Sequence, residues 1–572
     1  MTPSASRENS TYNRFLLLVA GIGGLLYGID IGIIDPALGY LGKTISMTEE
    51  NQSVIVAAVL GGSMFASVIA GFFADLLGRK VMMLISAAMF VASVAIIFTS
   101  QTYVPLLLGR LLQGMSGGVI AVVVPLYLAE CLRADVRGKG TSIFQFMLTF
   151  GIVVAAFVGD HYTRDAETAI NLAAGDPKAI LAAANHAWRG MFLSVIYPGI
   201  LFLIGGCFIS ESPRWLHRKG RKEQALQALR RSRSADEAAL EFAEMEEALA
   251  HERAKPKISV GVSMQEIFTQ RKYIIPFVLA CIILGCNQAT GINSILGFMT
   301  NILQQAGLAA EEASKCGLWI KILNTVMTVV AVILVDKKGR KFLLKLGTGG
   351  IIVSLLAAAA VFYSFESKRV DVAPKVASMI SANALDFDIQ QVAVGLAKQP
   401  TQLSILYAYG DRQGIATALS NDPNGDRIKV SLTPEDSKNA GQSLRILRAR
   451  MGPVPTEKTG FLVATCLAVF IAFFAVGPGV CVWLALSELM PTRIRSVGMG
   501  VALLINQGVS TGIAAFFLPI VGNHGYFAMF GFWAACTVVY FITAAFFLPE
   551  TKGRTLEEIE ADFEGKASPT SP

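Results

Sequence analysis

The chain has 572 residues, of which 53% are hydrophobic and only 16% are charged. Soluble domains carry roughly a quarter of charged residues, so the composition excludes an ordinary soluble protein. The formal net charge is +7, and the basic residues cluster at the ends of apolar segments, which argues against nucleic-acid binding.

Apolar segments of about 20 residues, the length that a helix needs to cross a bilayer, recur along the chain. Helices are the expected form, because lipid offers no partner to an unpaired backbone amide and the segments are too long for barrel strands. The sequence therefore predicts an all-α membrane protein. The twelve predicted spans are 15–34, 53–74, 82–99, 104–129, 141–160, 190–209, 274–303, 316–335, 342–363, 460–487, 497–520 and 526–548.

These spans form two groups of six, and the segments between them differ in composition. Residues 214–272 carry charges and leucines at helical spacing, which is typical of short amphipathic helices that either brace the two bundles or only connect them. The predicted units are a first bundle (1–210), a cytoplasmic helical linker (211–272), spans seven to nine (273–363), an extracytoplasmic insertion (364–459), spans ten to twelve (460–550) and a cytoplasmic tail (551–572). The insertion is expected to be either a folded cap or a mobile loop, and a smaller outer loop is expected at 161–189.

A charged motif marks the same point in each half. Asp75-Leu-Leu-Gly-Arg-Lys80 recurs as Asp336-Lys-Lys-Gly-Arg-Lys341, and each copy lies between two apolar segments. A repeat of this length indicates a duplicated helix bundle, the architecture of alternating-access transporters. The charged residues that the two halves share are Asp75, Arg79, Glu130, Arg137 and Glu211 in the first half, and Asp336, Arg340, Glu488, Arg495 and Glu550 in the second.

Lysine and arginine concentrate in alternate short loops, and such loops stay in the cytoplasm. We therefore expect the repeated motifs and both termini on the cytoplasmic side. Glycine permits a tight reversal there, and each arginine can reach a carboxylate on a neighbouring helix. The ten charges then either latch the inner side in one conformation or only set topology and turns; the recurring order of Asp, Gly and Glu favours a latch.

The chain resembles the sugar porter family of the major facilitator superfamily, and in particular bacterial proton-coupled sugar symporters. The segments that carry the resemblance are Gly71-Phe-Phe-Ala-Asp-Leu-Leu-Gly-Arg-Lys80, Pro125-Leu-Tyr-Leu-Ala-Glu130 with Arg137-Gly138, Glu211-Ser-Pro-Arg-Trp-Leu216, Gly291-Ile-Asn293, Asp336 to Lys341 and Pro549-Glu-Thr-Lys-Gly-Arg-Thr-Leu556. The resemblance implies the major facilitator fold, with two six-helix bundles around a central sugar site.

One acid lies deep within the first span. Asp30 follows Leu26-Tyr-Gly-Ile, and Arg110 of span four is its best candidate partner. A carboxylate at this depth costs about 3 kcal/mol or more, and its proton affinity changes when a guanidinium approaches or leaves. The resemblance implies proton coupling, since passive members often lack this acid; the alternative is a static ion pair. Asp35, which precedes Pro36, is expected to be a solvated end residue.

Amide side chains recur inside the spans, where they are expected to face a polar cavity. An amide both donates and accepts, and an aromatic ring can cover the apolar face of a sugar; helix–helix hydrogen bonding is the alternative role. The predicted substrate-binding residues are Tyr27, Gln145, Asn287, Gln288, Asn293, Asn324, Trp483 and Asn506. The resemblance implies sugar contact for all except Asn287, which replaces one of two paired glutamines, and Tyr27, which aligns with a pocket-lining aromatic.

Three residues are predicted to act in gating. Gly477 and Pro478 interrupt span ten, where a broken helix can flex. Phe298 follows Gly297 where the family usually has two tyrosines, so the outer gate or a ligand contact is altered.

The sequence predicts a proton:monosaccharide symporter in the cell membrane, which is the inner membrane if the organism is bacterial. We expect a sugar or polyol, protons and the lipid bilayer as partners, a monomer, and no nucleic acid. Enzyme motifs are absent, and eight cysteines and five histidines show no ligand spacing, so neither a cofactor nor a metal is expected. The alternatives are a passive facilitator of sugars or polyols and a non-transporting sugar sensor; the short segment after Arg554 argues against the sensor.

Overall fold

The computed structural model describes residues 3–45, 47–132, 134–173, 175–254, 271–392, 400–410, 412–420, 427–430, 442–489 and 495–550. Within these ranges, twelve helices are long and apolar enough to cross a membrane. The prediction of a membrane part built from twelve α-helical spans is therefore confirmed.

The first six spans form one bundle. Its helices are α1 (Pro3–Gly32), α2 (Ile34–Thr44), α3 (Glu49–Leu77), α4 (Arg79–Thr99), α5 (Tyr103–Cys131), α6 (Ala134–Leu172), α7 (Pro177–Ser194) and α8 (Ile196–Phe208). Span one breaks at Ile33, between α1 and α2, and α7 and α8 together form span six.

The second bundle holds the other six spans. Its helices are α12 (Arg271–Ala289), α13 (Ile292–Gly297), α14 (Met299–Gln305), α15 (Ala310–Lys338), α16 (Arg340–Glu366), α18 (Glu457–Val476), α19 (Pro478–Leu489), α20 (Arg495–His524) and α21 (Tyr526–Ile542). Span seven comprises α12 to α14, and span ten comprises α18 and α19. Between the bundles lie the linker helices α9 (Pro213–Arg218), α10 (Lys222–Ser232) and α11 (Ala235–Ala254).

The repeated motif forms the same turn in both halves. Gly78 separates α3 from α4 with φ +106°, and Gly339 separates α15 from α16 with φ +85°. A Cβ atom at Gly78 would lie 2.3 Å from a carboxylate oxygen of Glu211, and one at Gly339 would lie 2.7 Å from Glu550. Both the backbone angle and the space thus require glycine at each copy, which supports the duplication.

Residues 161–189, which we expected to form an outer loop, are largely helical. The helix α6 continues to Leu172, and α7 begins at Pro177 after the Asp176 side chain accepts a hydrogen bond from the Lys178 amide. Hydropathy marks the limits of the bilayer rather than the ends of helices, and the alanine-rich sequence here continues both spans as helix beyond the apolar stretch.

The described linker residues pack on the first bundle. The Asn13 side chain donates to the Ser232 carbonyl at 2.9 Å, and Arg233 donates to the Cys131 carbonyl at 3.1 Å. The predicted short helices are thus present as α9 to α11, whereas residues 255–270 lie outside the described part of the chain. We call this side of the bundle the linker end.

The insertion contains a folded unit, so the cap is the better of our two alternatives. Its strands are β1 (Val370–Asp371), β2 (Leu385–Asp388), β3 (Thr401–Tyr409), β4 (Arg412–Leu419), β5 (Arg427–Val430) and β6 (Leu444–Pro453), and α17 (Ala373–Ala377) precedes β2. Antiparallel pairing gives one sheet in the order β1-β6-β3-β4 and a second from β2 and β5. Alternating side chains of these strands, such as Leu403, Ile405 and Phe387, form a separate core.

This cap contacts both bundles. Arg448 forms an ion pair with Glu49 at the start of α3, at 2.7 Å. Arg450 donates to the carbonyl of Asn523, near the end of α20, at 2.6 Å. We call the side of the two bundles that contacts the cap, near Glu49 and Asn523, the insertion end.

Large apolar side chains lie exposed on the outer faces of the spans. Phe72 and Phe157 are more than 60% exposed, as are Trp319 and Val353. Lipid requires such a surface, and contiguous apolar exposure of this extent is rare on soluble monomers. The chain is thus a multi-pass membrane protein.

Candidate transport site

The predicted acid and arginine lie side by side in the core of the first bundle. Asp30 and Arg110 are both fully buried, and the shortest distance between their charged atoms is 3.6 Å. Neither carboxylate oxygen of Asp30 accepts a hydrogen bond from a described residue. The Arg110 guanidinium donates to Gln113 at 2.7 Å and lies 5.4 Å from the ring centre of Phe192. Among the described residues, Asp30 is therefore held by the charge of Arg110 and by no hydrogen bond.

Span four approaches span one closely at this point. A Cβ atom at Gly117 would lie 2.9 Å from the Tyr27 ring and 3.1 Å from the Asp30 carboxylate, so only glycine fits there. The Tyr27 hydroxyl interacts with the side chains of Ser63 and Gln507 and lies near the charge of Asp30. Since Gln507 belongs to the second bundle, Tyr27 links the buried acid to the space between the bundles.

Amides of spans seven and eleven form a connected network. Asn293 donates to Gln288 at 3.0 Å and to Ser510 at 2.7 Å. Gln288 donates to Asn506 at 3.2 Å, and Asn506 donates to the Leu284 carbonyl at 3.0 Å. The structure thus brings three of the predicted substrate-binding amides together in one polar cluster.

The other predicted substrate-binding residues lie around this cluster or outside the described set. Asn287 is buried, and its side-chain oxygen accepts no hydrogen bond from a described residue. Asn324 of span eight is also buried, and Gln145 of span five is half-buried. The side chain of Trp483 lies outside the described residues, although its backbone belongs to α19.

The predicted break in span ten is present. The helix α18 ends at Val476, Gly477 has φ −103° and ψ −92°, and α19 starts at Pro478. A Cβ atom at Gly477 would lie 2.8 Å from the Gly347 Cα atom, so spans nine and ten touch backbone to backbone. The break therefore lies at a tight packing contact.

Span seven is interrupted twice. Gly291 takes a left-handed conformation between α12 and α13, and Phe298 separates α13 from α14. The Phe298 side chain is fully buried and stacks on Phe517 of span eleven, with 4.5 Å between ring centres. The amide cluster thus lies beside a broken helix, a common setting for transporter substrate sites.

At the linker end, a buried arginine organises the charges of the first half. Arg79 forms ion pairs with Glu130 and Asp75, each at 2.8 Å, and donates to the Ala74 carbonyl at 2.9 Å. Glu130 also accepts hydrogen bonds from Ser212 and from Arg218 of the linker. Arg79 thus reaches a carboxylate on a neighbouring helix, as predicted for the arginine of this motif.

Of the remaining predicted charges, Glu211 and Glu550 occupy equivalent positions in the two halves. Glu211 accepts hydrogen bonds from the Arg79 and Lys80 amides at the start of α4, and Glu550 accepts one from the Arg340 amide at the start of α16. A carboxylate is favourable at a helix N-terminus. The side chains of Arg137, Asp336, Glu488 and Arg495 lie outside the described residues.

The expectation that Asp35 is solvated is wrong. Asp35 is only 4% exposed, forms an ion pair with Lys321 of span eight at 2.6 Å, and accepts a hydrogen bond from the Thr300 amide at 2.7 Å. The prediction failed because the helix continues past the break at Ile33 and carries Asp35 into the contact between the bundles. Lys321 was missed, although a lone lysine inside an apolar span is itself a functional signal.

The site thus combines a buried acid, an arginine and a cluster of uncharged amides at the contact between two bundles. Such a set can bind a neutral polyhydroxylated molecule and can hold or release a proton. Within the described residues, no group of three or more His, Cys, Asp or Glu side chains could hold a metal ion.

Comparison with protein families gives a match along most of the chain. The family model described as "Sugar (and other) transporter" matches residues 16–397 and 446–563. The unmatched residues between these segments belong to the cap. The family match therefore extends over both bundles and the linker.

Similar proteins of other organisms cover nearly the same length. The glucose transporter GlcP of Staphylococcus epidermidis is 26% identical over 558 residues, which is 96% of this chain and 97% of that protein. The arabinose-proton symporter of Bacillus subtilis is 23% identical over 569 residues, 98% of each chain. The probable inositol transporter 3 of Arabidopsis thaliana is 28% identical over 576 residues, 98% of this chain and 93% of that protein. These relatives are transporters and not enzymes.

Solved structures show the same fold. The inward-open form of the xylose transporter XylE from E. coli has a TM-score of 0.66 and 22% identity, and covers 96% of this chain and 99% of that one. The proton:xylose symporter XylE bound to 6-bromo-6-deoxy-D-glucose, a major facilitator superfamily protein, has a TM-score of 0.64 and 21% identity, with 97% and 100% coverage. The chain therefore belongs to the sugar (and other) transporter family, the sugar porters of the major facilitator superfamily.

Proposed function

We propose that this sugar porter is a proton-coupled symporter of a monosaccharide or a cyclic polyol. The observation that carries the proposal is Asp30, which is fully buried 3.6 Å from Arg110 and accepts no hydrogen bond from a described residue. Burying a charge without hydrogen bonds is costly. Protonation of Asp30 removes this cost, so we propose that the carboxylate takes up and releases a proton during the cycle.

The coupling follows from the two positions that Arg110 can take. Beside the guanidinium, the ionised form of Asp30 is favoured; with the guanidinium further away, burial favours the protonated form. The Asp30–Arg110 contact has no hydrogen bond, so a small movement of span four against span one is enough to change it. Tyr27 and Gly117 lie against Asp30. Through these contacts, the binding of a substrate in the chamber changes the contact between Asp30 and Arg110.

The substrate chamber lies between the bundles, with the amide cluster on one side. Hydroxyl groups of a sugar both donate and accept, as do amides, so the hydrogen bonds of the cluster exchange for bonds to the ligand with little change in number. Relatives named as glucose, arabinose and inositol carriers support this class of ligand. The proposed binding residues are Tyr27, Gln145, Asn287, Gln288, Asn293, Asn324, Trp483 and Asn506.

The bundles rock about this chamber to give alternating access. The breaks at Gly477–Pro478 and at Phe298 are the proposed hinges and gate on the second bundle. Positive charge in the short loops supports a cytoplasmic position for the linker end and for both termini. The charges around Arg79 and around Arg340 are proposed to stabilise the inner side within each half. We place the protein in the cell membrane as a monomer.

A pH gradient imposed on proteoliposomes tests the coupling. Wild-type protein accumulates sugar in the lumen against its gradient when the lumen is more alkaline than the outside, because protons then enter together with the sugar. A panel of hexoses, pentoses and inositols identifies the substrate. Asp30→Asn keeps the size of the side chain but cannot release a proton. We expect the variant to lose accumulation and to retain sugar counterflow, which needs no net proton movement.

Asp160→Asn is the matched control. Asp160 is also buried in the first bundle and pairs with Arg164, but it does not contact Arg110. This variant is expected to accumulate sugar like wild type. Undiminished accumulation in Asp30→Asn would instead indicate that the Asp30–Arg110 pair is static. Facilitated diffusion in both wild type and variant would indicate a passive carrier.

A further inference from the structure

An ion pair crosses the contact between the two bundles at the insertion end. Asp35 lies in α2 of the first bundle, and Lys321 lies in α15 of the second; each side chain is only 1% exposed, and their charged atoms are 2.6 Å apart. The second carboxylate oxygen of Asp35 accepts the amide of Thr300 in α14, also of the second bundle. Both oxygens of Asp35 are thus satisfied from the opposite half of the chain.

Other contacts at the same end show that the bundles are closed there. The Ser53 hydroxyl of α3 accepts a hydrogen bond from the Leu518 amide of α20 at 2.9 Å. Ala57 and Leu60 of α3 pack against Ala514 of α20 in a small apolar cluster. The ion pair therefore lies within a closed seam rather than on an exposed surface.

Lys321 lies at the entrance to the proposed chamber. It follows residue 316, the predicted start of span eight, by five residues, or about 8 Å of helix, which places it in the outer part of a core about 30 Å thick. Asn324 lies one helical turn further in, on the same face of the helix. When the bundles separate at the insertion end, Asp35 and Lys321 part and line the opening to the chamber.

Because Asp35 and Lys321 are buried, the stability of the closed form depends on whether both charges are present. Two opposite charges buried together nearly offset their loss of hydration, whereas removal of one partner leaves a lone buried charge and is strongly unfavourable. Removal of both charges is close to neutral. The insertion end can therefore close when both charges are present or when neither is.

We propose that Asp35 and Lys321 form the gate of the transporter at the insertion end, and that their mutual neutralisation is the condition for this side to close. The gate deepens the alternating-access function proposed above, and it depends on neither proton coupling nor the identity of the sugar. Thr300 positions Asp35 for the lysine through its backbone amide.

Labelling of a single reporter tests the gate without any substrate. Ala57→Cys places a thiol on the closed seam, where Ala57 is 3% exposed. The full-length protein is placed in lipid nanodiscs, so both faces meet the reagent and the result does not depend on orientation. Reaction of the introduced thiol with a sulfonated maleimide is followed by mass spectrometry of the peptide that contains it, which separates it from the eight native cysteines.

In this background, Asp35→Asn and Lys321→Met are each expected to label at least about 10-fold faster, because the lone buried charge shifts the closed form toward the open one by on the order of 100-fold. The double variant Asp35→Asn/Lys321→Met is expected to return to within about threefold of the reporter protein alone. Such a return also shows that the single variants did not merely misfold. Glu311→Gln is the control, because it breaks an exposed pair with Lys315 within α15 and should change nothing.

The gate is refuted if the single variants label at the rate of the reporter protein, or if the double variant labels as fast as the faster single variant. Sugar counterflow measured in the same proteins separates this outcome from a failure of the proposed transport function. A protein that transports sugar with unchanged labelling is a transporter whose gate lies elsewhere.

Discussion

Glu130→Gln is the sharpest test of the charge network at the linker end. Arg79 has a side chain 2% exposed, and it contacts Glu130, which is 7% exposed, and Asp75, which is 62% exposed. The substitution keeps the size of the side chain and removes its charge, and an amide nitrogen takes the place of one of the two accepting oxygens. Arg79 then remains buried, and the carboxylate that still pairs with it, Asp75, lies largely in solvent.

The size of the effect follows from burial. Breaking a buried ion pair by removing one charge costs about 3 kcal/mol or more, whereas an exposed pair is worth less than about 1 kcal/mol. For a unit of about 200 residues, such as one six-helix bundle, 1 kcal/mol changes the unfolding temperature by about 2–4 °C. We therefore expect Glu130→Gln to lower the unfolding temperature by about 6 °C or more, and Asp75→Asn by no more than about 4 °C.

The assay is thermal unfolding of the purified variants in one detergent, with a common heating rate because unfolding of such proteins is often irreversible. Asp75→Asn is the matched control, since it removes a carboxylate from the same guanidinium at nearly the same distance. Equal losses in the two variants, or a larger loss for Asp75→Asn, would show that burial does not decide the strength of these pairs.

Two further predictions concern the chamber and the cap. Gln288→Ala removes the amide that joins Asn293 to Asn506, and we expect at least about 10-fold weaker sugar binding; wild-type affinity would show that the cluster is only a helix contact. A double-mutant cycle of Arg448→Met and Glu49→Gln should give a coupling free energy below about 1 kcal/mol that falls in 1 M salt, since the pair is partly exposed; a larger coupling, insensitive to salt, would mean that the cap is locked to the first bundle.

The spans were predictable because hydropathy and length dominate the folding of a membrane chain. The turn at Gly78 was also predictable, because a repeated motif restricts what each residue does. The amide cluster of spans seven and eleven was also predictable, because polar groups inside apolar spans are rare. In each case a single strong local signal determined the assignment.

The failures share a different cause. Asp35 follows an apolar span, and its sequence surroundings fit a solvated end, yet the break at Ile33 turns it into the seam against Lys321, 286 residues away in sequence. Likewise, the sheet of the cap depends on packing that hydropathy does not report. Contacts between distant segments are set by the assembled fold, so single-sequence patterns do not reveal them.

The two ends of the molecule use charge in different ways. At the linker end, Arg79 and its partners belong to the first bundle, and Arg218 of the linker joins them through Glu130. Rocking of one bundle against the other leaves such contacts intact, so they preserve the shape of a half that moves as one body. At the insertion end, Asp35 and Lys321 belong to different halves, and every rocking motion must change their separation. A buried ion pair therefore stabilises a unit when its partners move together, and selects a conformation when they move apart.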